Sequence, residues 1–404
     1  MAKKLDLIVY GATGFTGRLV AEYLNRRYGS GLAWAMAGRS QAKLEEVRKL
    51  IGAPASVPLL AADATDPAAL RKLALATRAL ITTVGPYQLH GEALLQACAH
   101  SGTDYLDLCG EPAWMAQMIQ RHDAAAHASG ARIVFSCGFD SVPFDLGVRF
   151  LQHHALRRDG QPLAHVQCRV LVMKGGFSGG TAASLVATLS AMARDAEAAR
   201  AMANPFALTP GFSGPAQPEN ARATLDAFTG AWSAPFVMAP INTKNVHRTS
   251  ALLGHSYGRD FVYEERLSCG SGQQGELRAR GVVRSSALQN TLLGFGPTRK
   301  LLQHFVLPKP GTGPGPQERE NGRYELLFTG VGLGGRRLSA HVHGDRDPGY
   351  GSTSKIIAEC ALALVQDVGR GVTPGGIWTA GAALGMAVVP RLQERAGLSF
   401  ALQA

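Results

Sequence analysis

Val9-Tyr10-Gly11-Ala12-Thr13-Gly14-Phe15-Thr16-Gly17-Arg18 is the stretch that decides the fold of this 404-residue chain. The apolar run Leu5 to Tyr10 predicts a strand, and the residues after Gly17 predict a helix. Glycines at 11, 14 and 17 permit a sharp turn, a close approach of backbone to phosphate, and tight contact between the helix and the strand before it. The helix start then offers unpaired N–H groups and the positive end of its dipole to a pyrophosphate. Gly11, Ala12, Thr13, Gly14, Phe15, Thr16 and Gly17 are therefore candidate cofactor-binding residues. The spacing is GxxGxxG rather than GxGxxG, so by itself the segment also fits a tight turn without a ligand.

A second strand, Leu32 to Ala37, runs into Gly38-Arg39-Ser40, where an NAD enzyme carries an acidic residue for the ribose 2′-hydroxyl. An arginine there suits a 2′-phosphate and can stack on the adenine. Arg39 and Ser40 thus favour NADP(H) over NAD(H), the alternative being an ordinary surface arginine. Further strands are expected at Val57 to Ala61, Ala79 to Val84, Asp104 to Leu108 and Arg132 to Ser136. Helical periodicity fills the intervals at 18–27, 41–51, 67–77, 91–101 and 112–129. Six strands joined by crossover helices predict a doubly wound parallel sheet of the Rossmann type, with its ligand at the C-terminal strand ends. Asp63, Gly85-Pro86-Tyr87, the run Tyr105 to Glu111, and Cys137 to Pro143 all fall on that rim. Asp63 is placed to reach the adenine, and Gly85 and Pro86 to shape the turn beside the nicotinamide ribose.

Length and composition agree with two domains: 404 residues, 46% hydrophobic and 18% charged, can bury sizeable cores. The net charge of +11 is dispersed. Arg26-Arg27, Arg157-Arg158 and Arg336-Arg337 are isolated pairs with no aromatic interleaving, so nucleic acid is not the expected partner. Six cysteines without a CxxC pair fit reduced thiols and a cytoplasmic location. Met1-Ala2-Lys3-Lys4 leads straight into a strand without the apolar region of a signal peptide. The apolar run from Ile377 falls short of the roughly 20 residues that span a bilayer. Core burial is favoured for it over peripheral membrane contact. His341 and His343 share a strand face without a third ligand, so no metal is expected.

Beyond Phe150 the pattern changes. His165 to Lys174, Asp260 to Leu267, Tyr324 to Gly330 and Arg337 to Gly344 read as strands, and Ala182 to Met202 as one long helix. These elements predict a second, α+β domain on a mostly antiparallel sheet, suited to substrate binding or to a homodimer contact. The expected division is 1–145 for the Rossmann domain, 146–347 for the α+β domain, and 348–404 for C-terminal helices, at 352–368 and 377–395, that return to the first domain.

The landmarks Gly11 to Gly17, Ala37-Gly38-Arg39-Ser40, Val84-Gly85-Pro86-Tyr87, Tyr105-Leu106-Asp107-Leu108-Cys109-Gly110-Glu111 and Gly138-Phe139-Asp140-Ser141-Val142-Pro143 follow one another as in saccharopine dehydrogenase-like oxidoreductases. Gly175-Gly176-Phe177-Ser178-Gly179-Gly180-Thr181 and Asp345 to Lys355 extend the match. The chain resembles the branch of trans-acting enoyl reductases of polyketide and lipid assembly over nearly its whole length, most weakly between Asn204 and Gln317. The resemblance implies a Rossmann domain interrupted by an α+β domain, use of NADP(H), and hydride transfer. Cys109 stands where relatives are expected to carry threonine, and is read as a small packed residue.

Reduction of an enone places hydride on the β-carbon, and the enzyme must then stabilise an enolate and protonate the α-carbon. Tyr87 is the first candidate for a donor beside the nicotinamide. Asp140 would orient the substrate or the nicotinamide ribose, and Lys174 would face the developing oxyanion. Each has a structural alternative: a packed ring, a helix cap and a solvated strand end. The loop Gly175 to Gly180 fits either a mobile lid or a sharp strand-to-helix turn. Two functions fit these residues. One is an NADPH-dependent reductase of an enoyl or imine-like substrate, free or presented on an acidic acyl carrier. The other is a non-catalytic NADP(H)-binding module that engages a lipid surface or a protein.

Overall fold

Strand β1 (Leu5–Tyr10) buries both its faces, Leu7 and Val9 into one apolar cluster and Ile8 and Tyr10 into another. Burial on both sides is what a parallel sheet between two helical layers requires. The computed structural model describes residues 3–176, 179–294 and 312–403. After β1 come α1 (Phe15–Tyr28), β2 (Trp34–Gly38), α2 (Gln41–Leu50), β3 (Leu59–Ala61), α3 (Pro67–Ala76) and β4 (Thr77–Thr82). The short α4 (Tyr87–His90) precedes α5 (Glu92–Ser101), β5 (Asp104–Leu106), α6 (Pro112–Ser129) and β6 (Arg132–Val134). The sheet order β6-β5-β4-β1-β2-β3 reverses direction at β1, so the crevice opens beside the glycine turn. Local chemistry fixes the ends: Ser40 and Asp66 cap α2 and α3, and α5 and α6 stop at the left-handed Gly102 and Gly130.

The chain leaves this sheet through α7 (Val142–Asp159), which packs on the second sheet so closely that a Cβ at Gly147 would stand 2.3 Å from the Phe328 ring. Next come β7 (Leu163–Lys174), α8 (Gly179–Arg194), α9 (Ala196–Ala203), β8 (Thr224–Leu225), β9 (Ala231–Pro235), α10 (Ala239–Leu252), β10 (Val262–Ser271) and α11 (Gly272–Gly294). Strands β11 (Arg323–Gly332) and β12 (Arg337–Gly344) follow. The second sheet runs β14-β12-β11-β7-β10-β9-β8, with β14 at Leu398–Leu402. Its pairs are antiparallel except β7 with β10.

Three expectations are corrected. The helix foreseen over 182–202 is two, because Asp195 turns its carboxylate onto the Glu197 N–H and starts α9 afresh. The last segment is not a helix from Ile377: Gly376–Trp378 is β13, the seventh strand of the Rossmann sheet, paired with β6, and short helical turns follow it. The C-terminal segment also divides. The helix Thr353–Gln366 and β13 join the first sheet, whereas β14 pairs with β12 in the second. Phe177 and Ser178 of the glycine-rich loop lie outside the described residues.

Candidate functional site

The glycine turn has no room for larger residues. Gly11 has φ +87°, and a Cβ there would lie 2.7 Å from Val84 Cγ2. At Gly17 a Cβ would stand 2.2 Å from the Gly11 carbonyl oxygen. The N–H groups of Gly11 and Ala12 both bond the Ala37 carbonyl, tying the turn to the end of β2. Ala12 is buried, Thr13 lies against Gly38, and Gly14, exposed, opens α1 without a side-chain cap or an acidic residue in the first turn. Thr16 is half-exposed beside it. A bare helix start above a turn of obligate glycines fits a pyrophosphate. Phe15 instead turns its ring to Tyr350, 5.1 Å between centroids.

Arg39 is exposed just past the C-terminal end of β2. Asp63 accepts hydrogen bonds from the N–H and hydroxyl of Thr65, which hold its carboxyl below the usual range, and the Arg39 charge adds to this. Ser40 accepts from the Lys43 N–H, so its hydroxyl caps α2.

On the other side of β1, past β4, β5 and β6, three loops are knitted into one rigid rim. The Tyr87 hydroxyl donates to the Thr82 carbonyl at 3.2 Å and accepts from the Leu108 N–H at 3.0 Å. Its ring is buried beside Trp114, and burial pushes the phenol well up. Glu111 takes the N–H groups of Tyr87 and Gln88 and the Ser184 hydroxyl, fixing the turn through Gly85 and Pro86. Asp107 accepts the N–H groups of Cys109 and Ser136 and the Tyr105 hydroxyl, joining the exits of β5 and β6. Burial pushes the Asp107 carboxyl up to about 7. Cys109 is buried with its thiol pushed far up, which removes the thiolate needed of a nucleophile.

Asp140 stands apart from these acids. Asp107, Glu111, Asp145 and Asp347 each accept two or more hydrogen bonds from neighbouring groups. Asp140 accepts none among the described residues, and it is exposed to solvent although protein crowds around it. Desolvation pushes its carboxyl up to about 6, and the Asp347 charge adds to the rise. Ser141, next in sequence, donates to Asn242 Oδ1, and Asn242 Nδ2 donates to Glu265 Oε1 at 2.8 Å. Tyr263 donates to the other Glu265 oxygen. A buried polar chain thus runs from the Rossmann rim to β10 of the second sheet, and burial pushes the Glu265 carboxyl up to about 8. This chain was missed in the sequence, where Asn242 and Glu265 carry no motif. Lys174 lies exposed at the end of β7 opposite Arg323 on β11. Among the described residues no cluster of His, Cys, Asp or Glu could hold a metal, and no helix is long and apolar enough to cross a membrane.

A doubly wound sheet whose first turn is closed on Gly11 and Gly17 defines a dinucleotide-binding α/β protein. Residues 7–134 match the family described as saccharopine dehydrogenase NADP binding domain. A trans-acting enoyl reductase of Mycobacterium ulcerans is 36% identical over 97% of this chain and 96% of its own. A Mycobacterium tuberculosis protein whose assignment to the same activity is provisional is 41% identical over 98% of this chain and 97% of its own. The fold is shared with the apo saccharopine dehydrogenase of Saccharomyces cerevisiae, at TM-score 0.53 and 11% identity, covering 99% of this chain and 100% of that one. It is also shared with the Legionella pneumophila homospermidine synthase in complex with NAD, at TM-score 0.51 and 10% identity, covering 99% and 92%.

The chain belongs to the saccharopine dehydrogenase-like family, in the group of the trans-acting enoyl reductases. It is an NADP-dependent oxidoreductase.

Proposed function

We propose that this protein reduces the carbon–carbon double bond of an enoyl thioester carried by a separate protein. The reading is supported by near full-length similarity to proteins named trans-acting enoyl reductases. An acidic carrier would complement the +11 charge of the chain. A non-catalytic module is not favoured when relatives this similar are named reductases. NADPH, when bound, supplies the hydride.

The chain's own residues would do the rest. Gly11 to Gly17 hold the pyrophosphate, Arg39 takes the 2′-phosphate, and the rim built on Tyr87, Asp107 and Glu111 fixes the floor beside Gly85 and Pro86. Asp140 is the single observation that carries the mechanism: an exposed carboxyl at the exit of β6 with no hydrogen-bond partner among the described residues, raised to about 6. Its protonated form is poised to donate to the α-carbon of the enolate, and a raised carboxyl is the usual solution for a general acid near neutrality. Tyr87, with both hydrogen-bonding capacities engaged by backbone, serves as a positioning residue. Lys174, at an exposed strand end, is assigned to the approach of an anionic partner. The experiment is to titrate the cofactor-loaded protein with enoyl, β-keto and imine substrates and follow oxidation of NADPH. Turnover confined to the enoyl thioester supports the reading, and turnover of the imine alone overturns it.

A further inference from the structure

Among the described residues, the start of α1 gathers positive charge without an anion to meet it. The helix opens with no acidic residue in its first turn and no capping side chain. The Arg18 guanidinium lies 5.7 Å from the centre of the Phe15 ring, and that of Arg319 lies 5.8 Å from it. Neither arginine has a carboxylate partner among the described residues. The nearby Glu318 carboxylate is turned onto the Gly315 N–H instead. Two guanidinium groups beside the positive end of a helix dipole repel unless an anion sits among them.

Arg319 reaches this place from the far end of the chain. Its segment, Thr312 to Glu320, packs on the first residue of α1: a Cβ at Gly313 would stand 2.5 Å from the Phe15 ring. The Arg319 carbonyl accepts the Asp347 N–H at 2.9 Å, and its Nη1 donates to the Pro314 carbonyl at 2.7 Å, so the strap is pinned while the remaining guanidinium donors stay available. Arginine matches the spacing of phosphate oxygens with paired N–H groups.

We propose that Arg319, on the strap that leads into the second sheet, is a ligand of the cofactor pyrophosphate, completing with Arg18 a site that the Rossmann domain only half builds. The inference rests on NADP(H) binding at the glycine turn. Binding the cofactor would then fasten the strap across the crevice.

The test compares three ligands, NADPH, NADH and adenosine 2′-monophosphate, by equilibrium titration of the full-length protein and its Arg319→Ala and Arg319→Gln variants, with thermal melting as a check on folding. Glutamine keeps a donor for the Pro314 carbonyl, so it separates strap integrity from phosphate binding. Both variants should bind NADPH and NADH about ten- to one-hundred-fold more weakly, the loss typical of a hydrogen bond to a charged group, and adenosine 2′-monophosphate unchanged. Unaltered NADPH affinity in either folded variant would overturn the inference, as would equal weakening of adenosine 2′-monophosphate. Failure of the unmutated protein to bind NADPH would overturn the cofactor reading, and this inference with it.

Discussion

The Asp347 carboxylate accepts the backbone N–H of Gly176 at 3.2 Å across 171 residues of sequence. Its other oxygen takes the N–H groups of Tyr350 and Gly351 at 2.8 and 3.0 Å. One buried acid therefore fastens the exit of β7 to the turn that leads into the helix Thr353–Gln366, and it stands close enough to Asp140 to raise that carboxyl. The fit leaves no slack: a Cβ at Gly175 would lie 2.2 Å from Asp347 Oδ1 and 2.6 Å from Pro348 Cδ.

Gly175→Ala forces the turn apart and should lower stability by about 1–3 kcal/mol, the usual cost of overpacking. Asp347→Ala leaves three N–H groups without their acceptor and should cost about 2–4 kcal/mol. Urea denaturation midpoints check both. A Gly175→Ala protein as stable as the parent would remove the turn's claim to be close-packed.

Tyr87→Phe separates a packed and bridging tyrosine from a catalytic one. The structure predicts a stability loss of roughly 1–3 kcal/mol, since the Thr82 carbonyl and the Leu108 N–H both lose a buried partner. The rate should fall only as far as the rim loosens. A drop of about a hundredfold or more in kcat at unchanged stability would restore Tyr87 as the donor.

Arg39→Ala should weaken NADPH by about ten- to one-hundred-fold and leave NADH within roughly a factor of two, because only NADPH carries the 2′-phosphate. Fluorescence titration with the two cofactors is sufficient. Equal loss for both would move the 2′-phosphate site elsewhere.

Asp140 must be protonated to act as the acid. With its carboxyl at about 6, kcat/KM is predicted to be level at lower pH and to fall about tenfold per unit as pH rises beyond that point. Asp140→Asn should lower the rate by about 10²–10⁴-fold and abolish that limb of the profile. A variant that retains the limb would show that another group supplies the proton.

Glu265 makes the complementary prediction for stability. Its carboxyl rises from 4.5 to about 8 on folding, so the native state holds the proton more tightly than the unfolded chain. Stability from this group is complete below pH 4.5 and is lost as pH climbs through 8. Glu265→Gln escapes that loss, so relative to the parent it should gain roughly 2–4 kcal/mol between pH 5 and pH 9. Parallel pH dependences for the two proteins would contradict the assignment.

Much of the first domain was readable in the sequence because its strands are short apolar runs between capped helices. Ser40, Asp66, Gly102 and Gly130 mark ends that local chemistry sets. Helix α10 escaped notice for a physical reason: Asn242, Lys244, Asn245, His247, Arg248, Thr249 and Ser250 are all buried, so its sequence lacks the apolar stripe that reports a core helix. Strand β13 is three residues long and reads as the start of an apolar helix because Ala380 to Val389 continue the run. At the site, the glycine turn and Arg39 are visible as motifs, whereas the roles of Asp107 and Glu111 are not. Those two acids act by accepting backbone N–H groups from loops that only the fold brings together. That Asp140 has no hydrogen-bond partner among the described residues is visible only by contrast with them.

Reduction with NADPH deuterated at C4 of the nicotinamide reports the fate of the hydride, using an enoyl thioester on a phosphopantetheine carrier and, separately, the corresponding β-keto thioester and a cyclic imine. Deuterium is expected at the β-carbon of the saturated thioester, with one NADPH consumed per double bond. Deuterium at a carbinol or amine carbon, with the enoyl thioester left intact, would contradict it.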